Sequence, residues 1–483
     1  MRKKPIGPEP TTMIVDRYDP INLFEIVPKL DLQFEPELAQ LDRLLDDDVL
    51  FEQVKADLCR RYPNSGRLGR HSTPVEVILR MLVVKRLYNW SYQQTEHFVS
   101  DSIVLRQFCR LYLEGAPDDT TLIRWANVIG AQTVAALNDR AVELARSLKV
   151  TRGRKLRVDS MVVETNIHHP TDSALLADGV RVLSRLLRRA KKMLPTEELD
   201  RLPKEIFRTR NRSVRRVSQQ LHRIARRKGE EAREQLKGAY QKLIAITQTS
   251  CAQAVKVLQA LREHADGSAK GGRLLARKFE HFLPLVEQGI TQATRRVLHD
   301  EQVPASEKIL SLFEEHTQII TRQKMGKPRE FGRKVLIDEV DGGIVSHYEI
   351  LEEVGREHPH LPTSLEAHQE HFGRAPYILA GDRGLYSAEN EKTAHQAGVK
   401  RVVLPKNGKP SEKRKRHEKQ RWFMRGFRFR AGIEGRISVL GRVFGLDRCL
   451  EHGEEGMGRW VGWGIFTHNL RQISRTQVVR QAA

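Results

Sequence analysis

The chain of 483 residues has no apolar run long enough to cross a bilayer, which takes about twenty predominantly apolar residues. Its amino terminus, Met1-Arg-Lys-Lys-Pro-Ile-Gly-Pro, lacks the apolar core of a secretory signal, so a cytoplasmic protein is expected. Cysteine is scarce: Cys59, Cys109, Cys251 and Cys449 are scattered without CxxC spacing, which indicates neither a zinc site nor a disulfide framework. Acids are short as well. Against 83 lysines and arginines stand 61 acids, a net charge of +22 and a pI near 9.9, a balance that favours a polyanionic partner. Nucleic acid and a membrane surface both answer that description. The length implies two or three domains with ample core.

What the chain does have is one carboxylate in an apolar, β-prone run, Lys155-Leu-Arg-Val-Asp-Ser-Met-Val-Val-Glu-Thr-Asn-Ile-His-His-Pro170. Leu156, Val158, Val162 and Val163 favour a strand on a core, where ionised Asp159 needs a compensating charge, metal or hydrogen-bond network. An aspartate in a strand is more often a structural residue at a sheet edge or turn. A second acid, Asp382, ends the apolar run of Tyr377-Ile-Leu-Ala-Gly-Asp-Arg-Gly-Leu-Tyr-Ser387, between Gly381 and Gly384, which let the backbone turn and a ligand approach. That is the carboxyl end of a strand, where open α/β sheets hold ligands. A third, Glu434, lies in Phe427-Arg-Phe-Arg-Ala-Gly-Ile-Glu-Gly-Arg-Ile-Ser-Val-Leu440, where Ile433, Ile437 and Leu440 mark a helix face.

The order Val158-Asp-Ser, Ala380-Gly-Asp-Arg-Gly-Leu-Tyr, Arg430-x-x-x-Glu434 resembles the DDE transposases of bacterial insertion sequences, in the branch with a Tyr, Arg, Glu, Lys signature. Arg430 and Glu434 match it, Phe427 stands at the Tyr position, and Gly441 stands at the Lys position with Arg442 beside it. The resemblance covers 151 to 173 and 328 to 470, and more loosely 70 to 150. It implies an α/β RNase H-like catalytic domain with a mixed five-stranded sheet, in which Asp159, Asp382 and Glu434 are catalytic and bind metal. Two Mg²⁺ ions per site, replaceable by Mn²⁺, then serve cleavage at element ends and strand transfer into target DNA. Three neighbouring carboxylates repel one another unless divalent cations neutralise them, and their oxygens suit Mg²⁺. Double-stranded DNA, as terminal inverted repeats and as target, is the implied partner, bound by a homodimer or larger assembly. The location it implies is the bacterial cytoplasm, at the nucleoid. An RNase H-like nuclease without joining activity, or a non-catalytic transposase-derived DNA-binding protein, are the alternatives.

In chain order, residues 1–34 read as an arm with Ile21 to Val27 as its apolar cluster. Residues 35–150 read as a helical DNA-binding domain, 151–172 with 326–475 as the catalytic domain, and 173–325 as a helical insertion. Helix starts are expected at Thr73-Pro-Val-Glu76 and Ser91-Tyr-Gln-Gln94, both capping boxes, at Ser102 and at Asp118. The short helices resemble a helix-turn-helix unit; Arg124, Trp125 and Asn127 are candidates to face DNA, although a tryptophan on a helix is more often core. In the insertion, Leu236, Tyr240, Leu243, Thr247, Ser250, Ala254, Val257 and Leu261 have heptad spacing, His264 to Gly272 breaks it, and Phe279 to Val297 suit a return helix. Its basic run includes Arg208, Arg210, Arg212, Arg215 and Arg216 and favours phosphate contact. So do Lys413 and Arg414, in a segment that interleaves cations with Trp422 and Phe423. Arg333 to Leu351 reads as a hairpin turning at Asp341-Gly-Gly343, with Asp338 and Glu339 expected to face solvent.

Overall fold

The structure is a computed structural model and describes residues 16–17, 34–60, 72–263, 270–321, 329–352 and 356–483. The expected arm, the break at 264–272 and the end of the insertion at 326–328 lie wholly or mostly outside these residues. From Pro36 the chain is helical. Helix α1 (Pro36–Leu45) buries Leu38, Leu41, Leu44 and Leu45, and α2 (Asp48–Arg60) buries Leu50, Val54 and Leu58, the spacing of one helix face each. Helix α3 (Val75–Leu87) is buried along its whole length. Its Arg80 is matched by Asp42, Asp46, Glu76 and the Phe108 carbonyl, without which a buried guanidinium would be prohibitively costly. This pairing explains why the capping box expected at Thr73 does not form. Pro74 is the N-cap without a side-chain bond, and Glu76 turns to Arg80 instead.

The Ser91–Gln94 box does cap α4 (Tyr92–Asp101). Ser102 caps α5 (Ile103–Phe108), beyond which Arg110 and Tyr112 take left-handed backbone at φ 57° and 50°. Asp118 caps α6 (Asp119–Ala126), and α7 (Ala131–Ser147) leads to β1 (Lys155–Thr165). The chain then divides: one unit holds the residues up to Asn166 and from Arg322, the other Ile167–Thr321.

The second unit contains α8 (Asp172–Met193), α9 (Thr196–Arg201), α10 (Asn211–Ile224), α11 (Glu230–Glu263) and α12 (Lys270–Ala293). Every heptad position of α11 from Tyr240 to Leu261 is buried, and Leu236 is partly buried. Leu183 and Leu187 of α8 pack with Val257 and Leu261 of α11 and with Phe279 and Val286 of α12. The approach of α8 and α12 requires Gly179, since a Cβ there would lie 2.9 Å from Val286.

In the first unit β2 (Arg329–Val340) and β3 (Ile344–Ile350) form the expected hairpin, turning through Gly342 and Gly343 at φ 85° and 76°, which favour glycine. There follow α13 (Leu361–Phe372), β4 (Ile378–Gly381), α14 (Ala388–Gln396), β5 (Arg401–Val403), α15 (Glu412–Glu418), α16 (Arg421–Arg442), β6 (Arg448–Cys449) and α17 (Gly453–Ala482). Among the described residues the sheet has seven strands where five are expected from the sequence; one is the short strand Gln318–Thr321, and the main run is β3-β2-β1-β4-β5. β2 is antiparallel to β1 and β3, β4 and β5 continue parallel to β1, and β6 pairs with the end of β1. This is a mixed α/β fold. Leu156, Val158 and Leu379 belong to a core shared with the amino-terminal helices, whereas Met161, Val163 and Ile337 pack with Leu440, Phe444 and Trp460. Strand alternation thus puts Asp159 on the side of Met161 and Val163.

Asp338 and Glu339 do not face solvent; both are fully buried. Asp338 accepts a hydrogen bond from Ser364, and burial pushes its carboxyl up to about 8. Glu339 is held by Arg157 and Arg436. The hairpin is covered by α13 on one side and by those two arginines on the other, which period-two patterning cannot reveal.

Candidate active site

The pairing of β1 with β4 sets Val158 opposite Gly381, so Asp159 and Asp382, the next residue of each, emerge side by side. Asp159 is 7% exposed. Its Oδ1 accepts the Ser160 backbone N–H at 2.8 Å and its Oδ2 a hydrogen bond from Arg430 Nη2 at 2.6 Å. Burial pushes its carboxyl up to about 6; the charges of Asp382 and Glu357 push the same way, and Arg430 and the Ser160 N–H oppose them. Asp382 caps a single turn, Arg383–Leu385, its Oδ1 accepting the N–H groups of Gly384 and Leu385 at 2.7 and 3.1 Å. Its carboxyl is also raised, by burial and then by Glu357.

Glu357 is the acid that sequence reasoning missed. Its Oε1 accepts the Ser160 hydroxyl at 2.6 Å and lies 3.1 Å from Lys334 Nζ, while its Oε2 is buried without a hydrogen-bond partner. A Cβ at Gly384 would sit 3.2 Å from that Oε2 and 3.1 Å from Asp382 Oδ1. The glycine therefore keeps open the space between the two carboxylates. The nearest sequence signal was only an acid before His358-Pro-His360, which reads as the start of a helix.

Glu434 is placed differently. Its side chain is 69% exposed, beside rather than on the buried face marked by Ile433, and Arg430 Nη1 donates to its Oε1 at 3.1 Å. One guanidinium thus bridges Asp159 and Glu434 and stands where a compensating cation is required. Among the described residues no three His, Cys, Asp or Glu side chains already form a metal-holding group. The donor chemistry nevertheless fits a hard divalent cation: the charges of Asp382 and Glu357 push the Asp159 carboxyl up, Glu357 does the same to Asp382, and one buried carboxylate oxygen has no partner.

Helix α16 carries Arg430 and Glu434 over the sheet because Phe423 packs on Ala380 and Val403. A Cβ at Gly426 would meet Val403 at 2.5 Å, so the helix lies close to β5. Phe423 is accordingly core and not a DNA contact. Arg414 is likewise consumed within the protein, bonded to Glu391, Glu418 and the Leu404 carbonyl. Lys413 is exposed. Phe427 is 40% exposed, and Arg442, also exposed, donates to Ser438. A Cβ at Gly441 would meet the Asp447 carboxylate, which would have to move to admit a side chain. Among the amino-terminal candidates Trp125 is buried core, Arg124 is exposed, and Asn127 accepts from Arg459. In the second unit Arg208, Arg212, Arg215 and Arg216 are exposed, while Arg210 is half-buried.

No helix among the described residues is long and apolar enough to cross a membrane. No curated protein and no solved structure matches the chain. Residues 23–127 match a family profile described as "Transposase domain (DUF772)", which spans α1 to α6.

Proposed function

We propose that the chain is a DNA transposase of the DDE type, with Asp159, Asp382 and Glu434 as catalytic carboxylates in an RNase H-like domain. The observation that carries this reading is the parallel register of β1 and β4, which makes Asp159 and Asp382 adjacent buried acids. The strand order β3-β2-β1-β4-β5 with β2 antiparallel to β1 and β3, and the transposase-domain match over 23–127, support it independently.

Mg²⁺, with Mn²⁺ as substitute, would be held by Asp159, Asp382 and Glu434, two ions to a site; when bound it supplies charge neutralisation and polarises the scissile phosphate. The chain's own residues prepare that site. Ser160 fixes Asp159 through its N–H and Glu357 through its hydroxyl, and Lys334 balances Glu357. Arg430, poised between two carboxylates, is the group to grip a phosphate, since a guanidinium meets phosphate oxygens in a fork. Water attacks in line on phosphorus at an element end and frees a 3′-hydroxyl. That hydroxyl then attacks a target phosphodiester, and the target's own 3′-oxygen leaves. The helices α4 to α6, with Arg124, read the terminal repeat, while the exposed arginines of α10 hold duplex without regard to sequence. Two copies, one for each end, form the working assembly.

The test is Mg²⁺-dependent joining of labelled element ends to a plasmid by the purified chain. Joined product that disappears in Asp159→Asn and Asp382→Asn supports the proposal. Hydrolysis without joining makes the protein a nuclease, and binding without either makes it a DNA-binding protein only.

A further inference from the structure

We propose that the groove between α8 and α12 binds an unpaired nucleic-acid strand, bases on its apolar floor and phosphates on its cationic walls. Nothing in this depends on the carboxylate site. Two adjoining hollows, of about 440 and 260 Å³, run along the seam and share Arg189, Leu274 and Lys278. The floor is apolar, built by Val182 and Leu186 of α8 and Phe282 of α12. Three large apolar side chains stay open to solvent around it, Phe313 at 49%, Leu274 at 58% and Met193 at 42% exposure. Phe313 meets Phe282 edge to face, with centroids 6.0 Å apart, which holds its ring upright at one end of the groove.

The walls carry Arg185, Arg189 and Lys192 from α8 and Arg277 and Lys278 from α12. None of these five has a carboxylate partner among the described residues. No acid is among the residues lining either hollow, and Glu315 lies 3.2 Å from His281, one of the lining residues. Unneutralised cations flanking exposed apolar surface call for a ligand that is anionic along its edges and flat and apolar between them. An unpaired strand is such a ligand: any base stacks on an aromatic ring, and the phosphates on either side reach the cations. A duplex keeps its base faces stacked inside, offers the seam phosphates alone, and leaves the floor unmatched. An acidic amphipathic peptide offers charge without planar rings for Phe313.

Fluorescence anisotropy of the full chain in EDTA, with a labelled oligothymidylate and a duplex of the same length, tests this. Phe313→Ala should weaken single-strand binding about tenfold, as the loss of one base stack does, with duplex affinity unchanged. Phe313→Trp should restore it, which a merely structural role would not predict. Replacing Arg185, Arg189, Arg277 and Lys278 together by glutamine should reduce the single-strand salt slope by about 2.8, at roughly 0.7 for each phosphate contact. Single-strand affinity that both variant sets leave unchanged overturns the proposal. So does an equal fall for strand and duplex in Phe313→Ala, or a groove that an acidic peptide fills while the oligothymidylate does not compete.

Discussion

Replacing Asp159 by asparagine should stabilise the folded chain at neutral pH while ending its chemistry. Burial lifts the Asp159 carboxyl from 3.8 to about 6, against the pull of Arg430. The folded state therefore holds this proton more tightly than the unfolded one, and stability falls as pH climbs from about 4 to about 6. Above that window the whole cost is present, about 3 kcal/mol at roughly 1.36 kcal/mol for each tenfold; below it both states are protonated and none remains. Asparagine keeps an acceptor for the Ser160 N–H, and the 2.6 Å ion pair with Arg430 that it gives up is already counted in that net shift. A net stabilisation of about 1 to 3 kcal/mol near pH 7, vanishing near pH 4, is the expected result. Urea unfolding in EDTA, followed by tryptophan emission, reads it directly, because all five tryptophans lie in the unit that holds Asp159. A variant less stable than the parent near pH 7, or a difference of the same size at both pH values, would refute the idea that an ionised Asp159 is held there at a cost.

Asp382→Asn and Glu434→Gln should each abolish cleavage and joining while end binding by anisotropy stays within about threefold, the loss being metal affinity and not packing; a variant cutting at the parent's rate removes that residue from the site. Arg430→Ala should slow joining by about tenfold to a hundredfold, the range of one charge-assisted hydrogen bond, and unchanged rate and end affinity together would return Arg430 to a structural role. Replacing Arg208, Arg212, Arg215 and Arg216 by neutral residues should flatten the duplex salt slope by about 3.6, at roughly 0.9 for each phosphate contact, with little change in sequence preference. A slope equal to the parent's would assign that face of α10 to pairing between copies of the chain.

The acids were legible where they broke a pattern. Asp159 stood out because the residues around it demand a strand and a core, and Asp382 because glycines on both sides mark a turn at a strand end. The hairpin followed from Asp341-Gly-Gly343, whose glycines take the positive φ the turn needs. The buried seam of α11 followed from heptad spacing. What the sequence hid were partnerships between distant residues. Asp338 and Glu339 look like solvent-facing acids until Ser364, Arg157 and Arg436 are brought to them from elsewhere in the chain. Glu357 is the same case in reverse. Its neighbours Ser160 and Lys334 come from two different strands, so no local spacing could announce it.

Net charge misleads in the same way, because a sum does not distinguish cations that are spent from cations that are available. In the first unit Arg80, Arg140, Arg157 and Arg414 are all bound to carboxylates of their own fold. They add to the excess of +22 but offer little to a polyanion. The cations without partners on α8, α10 and α12 are the ones left free to meet a polyanion. Neutralising buried arginines should therefore cost stability without moving the salt slope. Neutralising those of the helical unit should do the opposite, and it is this division, not the total, that decides what the charge of the chain offers a polyanion.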